Sequence, residues 1–212
     1  FAPENRWGFF PSVSVGWIMS EENFFKKALP FIDFFKVRAS YGESGNDNVT
    51  PYLYNSTFAV ANNSMVLGNS AIAQFYSKNP YIYRNLTWST TKSYNLGIDF
   101  NLLNQKLAVE FDVFYQLTED ILESKSGSYP TSLGGYYPSY QNSGKVDNRG
   151  FELTLRHNNR INKDWNYKLT GNFSFARNRV LEKAVTDNYP NYRGVLGQSM
   201  NARYGYQALG LF

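Results

Sequence analysis

The sequence contains no cysteine and one histidine, His157, among its 212 residues. A disulfide scaffold and any thiolate metal site are thereby excluded, and one histidine without cysteine makes no zinc motif. No apolar run approaches the ~18–20 residues that a spanning helix needs. With a mean hydropathy of −0.46, a helical membrane protein is excluded as well. Lys and Arg total 21 against 17 Asp and Glu; the resulting +4 is small and the basic residues are scattered, so nucleic-acid binding is not suggested. What is abundant is aromatic and amide: 17 Phe, 17 Tyr, 4 Trp and 24 Asn. That aromatic load excludes a disordered chain. A water-soluble core of this size relies on aliphatic residues, whereas aromatics alternating with polar residues suit a sheet with lipid on one side and water on the other.

Six segments alternate with period two, the mark of a half-buried strand. Phe35, Val37, Ala39 and Tyr41 interleave with Lys36, Arg38, Ser40 and Gly42. Tyr94, Leu96, Ile98, Phe100 and Leu102 form one face of the next, and Leu107, Val109, Phe111, Val113, Tyr115 and Leu117 one face of the third. Phe114 is the one large apolar residue in a polar phase. Phe151, Leu153 and Leu155 mark a fourth segment, and Trp165, Tyr167, Leu169, Phe173 and Phe175 a fifth. A weaker one near the start carries Val13, Val15 and Trp17. Several reach about ten residues, the length that crosses a bilayer when tilted.

The connections sharpen this. Only Asn104 and Gln105 separate Leu103 from Lys106, a two-residue hairpin. Its register pairs Leu102 with Leu107, Phe100 with Val109, Ile98 with Phe111, Leu96 with Val113 and Tyr94 with Tyr115; a one-residue slip would destroy every match. The same register sets Asp99 opposite Glu110, so a cation must intervene, with Lys36, Arg38 and Arg156 as candidates. From Trp17 to Phe35 the link is moderate and helical in look, with Ser20 as the N-cap before Glu21 and Glu22. Residues 44–92 make a very long link, 119–148 a long one and 159–164 a short one. Short and long links alternate, as in an up-and-down membrane barrel with short periplasmic turns and long outer loops. Trp17 and Trp165 then sit at periplasmic strand ends, and Tyr41, Tyr94 and Tyr115 at extracellular ends, as two interfacial girdles.

Catalytic constellations are missing. His157 falls on the apolar face near a turn, which leaves no Ser-His-Asp set. Gly42-Glu43-Ser44-Gly45 is neither a nucleophile elbow nor a P-loop. Glu119, Asp120 and Glu123 read as a solvated loop start rather than a cation site. The loop from Tyr129 to Asn142 is aromatic, shaped by Gly and Pro, and carries amides; Tyr136, Tyr137 and Tyr140 are its candidate ligand contacts. No metal, cofactor or enzymatic activity is expected.

Four stretches are similar, in order, to signature stretches of one family. They are Arg6-Trp7-Gly8-Phe9-Phe10-Pro11-Ser12-Val13-Ser14-Val15-Gly16-Trp17, then Phe31-Ile32-Asp33-Phe34-Phe35-Lys36-Val37-Arg38-Ala39-Ser40-Tyr41-Gly42 with Gly45-Asn46. Asn85-Leu86-Thr87-Trp88 with Lys92-Ser93-Tyr94-Asn95-Leu96-Gly97-Ile98-Asp99-Phe100 is the third, and Asn142-Ser143-Gly144-Lys145-Val146-Asp147-Asn148-Arg149-Gly150-Phe151-Glu152-Leu153 the fourth. Together they resemble the SusC/RagA-type TonB-linked outer-membrane transporters of Bacteroidetes, from about Arg6 to Leu181. The resemblance implies a much larger protein, with an N-terminal plug and a TonB-contacting segment ahead of a barrel of roughly 22 strands. It implies import of oligosaccharides or peptides beneath a SusD-like surface lipoprotein.

The expected fold is therefore all-β: an antiparallel up-and-down transmembrane β-barrel wall, incomplete at six to eight strands, with long extracellular loops. Residues 1–212 are expected to be one fragment of the barrel domain, with the plug outside it. The polar face, with Lys36, Arg38, Asp99, Glu110, Asp112, Glu152 and Arg156, is expected to line the lumen and meet the plug. The competing expectation is a soluble carbohydrate-binding β-sandwich. The two differ in one observable: a sandwich hides its apolar faces, and a barrel wall leaves them as a continuous exposed band.

Overall fold

The computed structural model describes residues 1–55, 58–68, 70–77, 81–125, 129–133, 137, 140–183, 194–203, 205 and 210, with the backbone path alone for 58–67 and 70–77. The strands are β1 (Ser12–Ile18), β2 (Ile32–Asn46), β3 (Phe58–Leu67), β4 (Ser70–Ser77), β5 (Ser89–Leu102), β6 (Leu107–Ser124), β7 (Tyr140–Arg160) and β8 (Asn166–Glu182). Six of them form one sheet in the order β1-β2-β5-β6-β7-β8, every neighbour antiparallel. β3 and β4 pair only with each other. The six alternating segments are the six strands of the large sheet, which is up-and-down and not closed.

The central hairpin has the register its apolar pattern dictates: Leu102 faces Leu107, Phe100 faces Val109, Ile98 faces Phe111, Leu96 faces Val113 and Tyr94 faces Tyr115. Leu103, Asn104 and Gln105 turn the chain with φ of +59°, +57° and +61°. Positive φ at both central residues gives a turn whose twist matches that of the strands. The Gln105 N–H donates to Asp33 Oδ2 at 2.8 Å, tying this turn to the start of β2.

The link between β1 and β2 holds a one-and-a-half-turn helix, α1 (Asn23–Ala28). Its N-cap is Glu22, not Ser20, because a 3-10 turn over Met19–Glu21 intervenes. The Glu22 carboxylate does not cap the helix; it accepts the Trp17 indole N–H at 3.2 Å. Ser20 is buried, and its hydroxyl has no hydrogen-bond partner among the described residues.

The apolar face lies open. Val13 is 66 % exposed, Leu169 63 % and Phe173 60 %. No second sheet of the described residues covers them, which removes the basis for a sandwich. The total accessible area is 15975 Å² for 24.4 kDa, against about 10,000 Å² for a water-soluble monomer of that mass. An apolar cluster of buried residues among those described, Leu53, Tyr83 and Leu86 with Phe1, Val49, Tyr81 and Leu122 packed on it, sits among the outer loops and not behind the sheet.

Tyr41, Tyr94 and Tyr115 face one another across β2, β5 and β6, with ring centroids 4.9 and 6.2 Å apart. From this row to Leu107, β6 runs for about nine residues, enough to cross the hydrocarbon layer. β6 and β7 nonetheless run on to Ser124 and back to Tyr140. The strand ends beyond the Tyr row stand in water on both sides, so nothing enforces alternation there, and the sequence pattern fades where the ladder does not.

Candidate functional site

On the polar face the acids are neutralised across strands. Asp99 and Glu110 are register partners, yet neither faces the other unrelieved. Arg38 donates through Nε and Nη2 to both oxygens of Asp99, at 2.8 and 2.7 Å, and through Nη2 to Asp112 at 3.0 Å. Arg156 grips both oxygens of Glu110, with Nη2 at 3.2 Å from Oε2. Lys36 is the register partner of Asp99, but its stem leans the other way, its Cε 3.2 Å from where a Cβ on Gly16 would stand. Glu152 faces Asp112 from β7 and is exposed, with no ion pair among the described residues. Gly150 makes room for Phe114, a large apolar residue on this face: a Cβ there would lie 2.8 Å from Phe114 Cζ.

Above the Tyr row a second network binds the outer strand ends. Glu119 takes Lys92 at 2.6 Å and Lys145 at 2.7 Å. These two lysines, Lys145 first, hold the Glu119 carboxyl below its ordinary pKa. Asp147, 1 % exposed, is held by Arg179 at 2.6 and 3.1 Å. Glu119 and its neighbours are thus ladder residues of β6 and not a loop start. No group of acids fit to hold a metal ion occurs among the described residues.

The candidate ligand residues separate. Tyr140 borders a cavity of about 520 Å³ lined also by Tyr81, Tyr83, Arg84, Gln141 and Asn142. The Tyr83 ring meets Tyr140 edge-on at 5.7 Å and Tyr81 at 5.0 Å. Tyr137 stacks on Tyr129 at 4.7 Å, and Tyr136 lies outside the described residues. The Asn142 amide is engaged inside the protein: it donates to the carbonyls of Thr87 and Asp120, and it accepts the Thr87 N–H. His157 stacks on Tyr167 at 5.5 Å on the apolar face.

A sheet with one apolar face open along its width and one charged face, with a Tyr row toward one end and short turns at the other, is the wall of an outer-membrane β-barrel. The family model described as TonB dependent receptor-like, beta-barrel, matches residues 1–211, and the chain belongs to this family. Its relatives include TonB-dependent receptor P39 of Formosa agariphila, 34% identical over 220 residues, which cover 99% of this chain and 20% of that protein. TonB-dependent receptor SusC of Bacteroides thetaiotaomicron is 28% identical over 193 residues, covering 91% and 19%. Among solved structures, the RagAB peptide importer in its closed-closed state superposes with a TM-score of 0.73 at 23% identity over 93% of this chain and 21% of that one. The chain is thus an outer-membrane component of this family, similar to SusC and, in fold, to the RagAB importer. It spans about a fifth of the length of the curated relatives it matches.

Proposed function

We propose that the 212 residues are part of the wall and outer rim of a TonB-driven importer of oligosaccharides or peptides. A SusD-like lipoprotein closes it from outside, and the plug and the TonB-contacting segment belong to the remainder of the protein. The observation that carries this reading is the two-solvent sheet: apolar residues exposed on one side, paired charges on the other. In this reading the row of Lys36, Arg38, Asp99, Glu110, Asp112, Glu152 and Arg156 faces the plug, with Glu152 the acid left to meet a plug cation. Tyr136, Tyr137 and Tyr140 contact the ligand, flat Tyr faces stacking on a sugar ring or a peptide plane; the cavity beside Tyr140 supports this. The test is uptake of fluorescent oligosaccharides and peptides by cells with and without the full-length gene, each in TonB-intact and TonB-deleted backgrounds. Co-purification of a surface lipoprotein is scored alongside. Loss of one substrate class on deleting either gene is expected. Uptake of both classes unchanged would overturn the reading.

A further inference from the structure

Two cations on the lipid-facing side make no ion pair among the described residues. Arg149 on β7 is the register partner of Tyr115 on β6 and of Arg177 on β8. Both arginines are exposed, and neither makes an ion pair among the described residues. They share their face with Phe151, Leu153, Phe173 and Phe175. Like charges set directly opposite each other are destabilising, and a lipid-facing surface offers them little water.

The neighbouring acids are spoken for. Asp147 stands one outward position further along β7 and feels the Arg149 charge, but Arg179 holds both of its oxygens. Glu119 is shared by Lys92 and Lys145. The positions nearer the membrane centre, Val113, Phe151 and Phe175, are apolar. Among the described residues no ion pair therefore balances Arg149 or Arg177.

Their height is informative. They continue the Tyr41–Tyr94–Tyr115 row onto β7 and β8; strand tilt inclines such a row by about 3 Å of height per strand, which keeps both arginines near the outer interface. An arginine costs about 2–4 kcal/mol on the lipid face at mid-membrane but about 0–1 near the interface. At this level the available anion is a phosphate, and the guanidinium fork matches phosphate oxygens in a bidentate manner. We infer that Arg149 and Arg177 form a site on the outer wall of the barrel for the phosphorylated headgroup of an outer-leaflet lipid, flanked by the Tyr115 ring. The site is independent of what the transporter imports, so its loss leaves the import reading intact.

The test uses the purified full-length transporter and three probes: monophosphorylated lipid A in detergent, the same lipid after phosphatase treatment, and inorganic phosphate. Wild type is expected to bind the phosphorylated lipid about tenfold tighter than the dephosphorylated one, the scale of one or two charge-assisted contacts. The double variant Arg149→Gln/Arg177→Gln is expected to lose that preference, and Arg149→Lys/Arg177→Lys, which keeps the charge but not the fork, to keep only part of it. Heat-modifiable gel mobility reports whether each variant keeps its barrel. Should the double variant not fold, Arg149→Gln and Arg177→Gln singly are each expected to lose part of the preference. An undiminished preference in the glutamine variants overturns the site. So does the absence of any preference in wild type, as would follow if an acid on an adjoining strand neutralises Arg177. Competition by inorganic phosphate at the lipid's own concentration would reduce the site to a simple ion site and overturn the lipid assignment.

Discussion

Arg38 and Asp112 stand two strands apart and meet over Gly97. In register, Arg38 faces Gly97 and Gly97 faces Asp112, so β5 lies between the two charges, and the missing side chain leaves the path open. A Cβ at Gly97 would lie 2.6 Å from Asp112 Oδ1 and 2.8 Å from Arg38 Cζ.

Gly97→Val is accordingly expected to sever this pair while leaving Arg38 on Asp99. Both charged ends are flexible, so the cost should be modest, about 1–2 kcal/mol. Asp112→Asn should cost a similar amount, and the double variant little more than either alone. Urea titration of the full-length protein in detergent measures the cycle. Additive losses would mean that the two changes act separately.

Charge reversal separates Arg38 from Lys36. Arg38→Glu brings a third acid beside Asp99 and Asp112 and should cost about 1–3 kcal/mol, with weaker plug retention or import. Lys36→Glu, on a side chain that leans over Gly16, should cost visibly less. Equal effects on barrel stability and uptake would show that the pairing is not what matters.

Cysteine cross-links test the hairpin, in a chain that has no cysteine of its own. With thiols elsewhere in the full-length protein removed, Phe100→Cys with Val109→Cys should oxidise to a disulfide. Phe100→Cys with Ala108→Cys should not, since their side chains fall on opposite faces. The reverse outcome would mean a slipped register.

On the apolar face, depth should set the cost of charge. Leu153→Arg, opposite Phe111 near mid-span, should cost about 2–4 kcal/mol, and Tyr94→Arg in the Tyr row about 0–1. Unfolding in lipid vesicles measures both, and equal costs would argue against a bilayer on that side.

Glu119 gives the outer rim an acid limit. Its folded-state pKa is lowered, by Lys145 first and then Lys92. The stabilisation it contributes is therefore complete above the ordinary glutamate value and is lost as pH falls through the lowered one. Amide exchange around residues 117–121 should stay slow from neutral pH down to about the ordinary glutamate value near 4.3 and accelerate, relative to intrinsic rates, only below it. Glu119→Gln should remove this acid step.

What the sequence disclosed follows the physics that shaped it. Between the short turns and the Tyr row, each strand borders lipid on one side and water on the other. Alternation is forced there, and the strands, their faces and the Leu96–Val113 register were all legible. Where both sides are wet the pattern weakens: β7 begins at Tyr140, well before its alternation shows. β3 and β4 lie inside what reads as a long loop. The cation needed between Asp99 and Glu110 was foreseeable, but the reach of Arg38 to a second acid depends on an empty position on an intervening strand. Arg149 and Arg177 continue the outward phases of Phe151 and Phe175, so extending those phases by one step would have found them.

The overhang of β7 has a mechanical meaning. From Asn148 back to Tyr140 the strand continues for nine residues past the Tyr row, a rise of about 20 Å for a tilted strand. Rungs of backbone hydrogen bonds and the Lys92–Glu119–Lys145 bridge lace it to its neighbours. A collar built this way is stiff, so a load applied at its top is carried down the ladder into the wall instead of being absorbed by slack chain at the mouth.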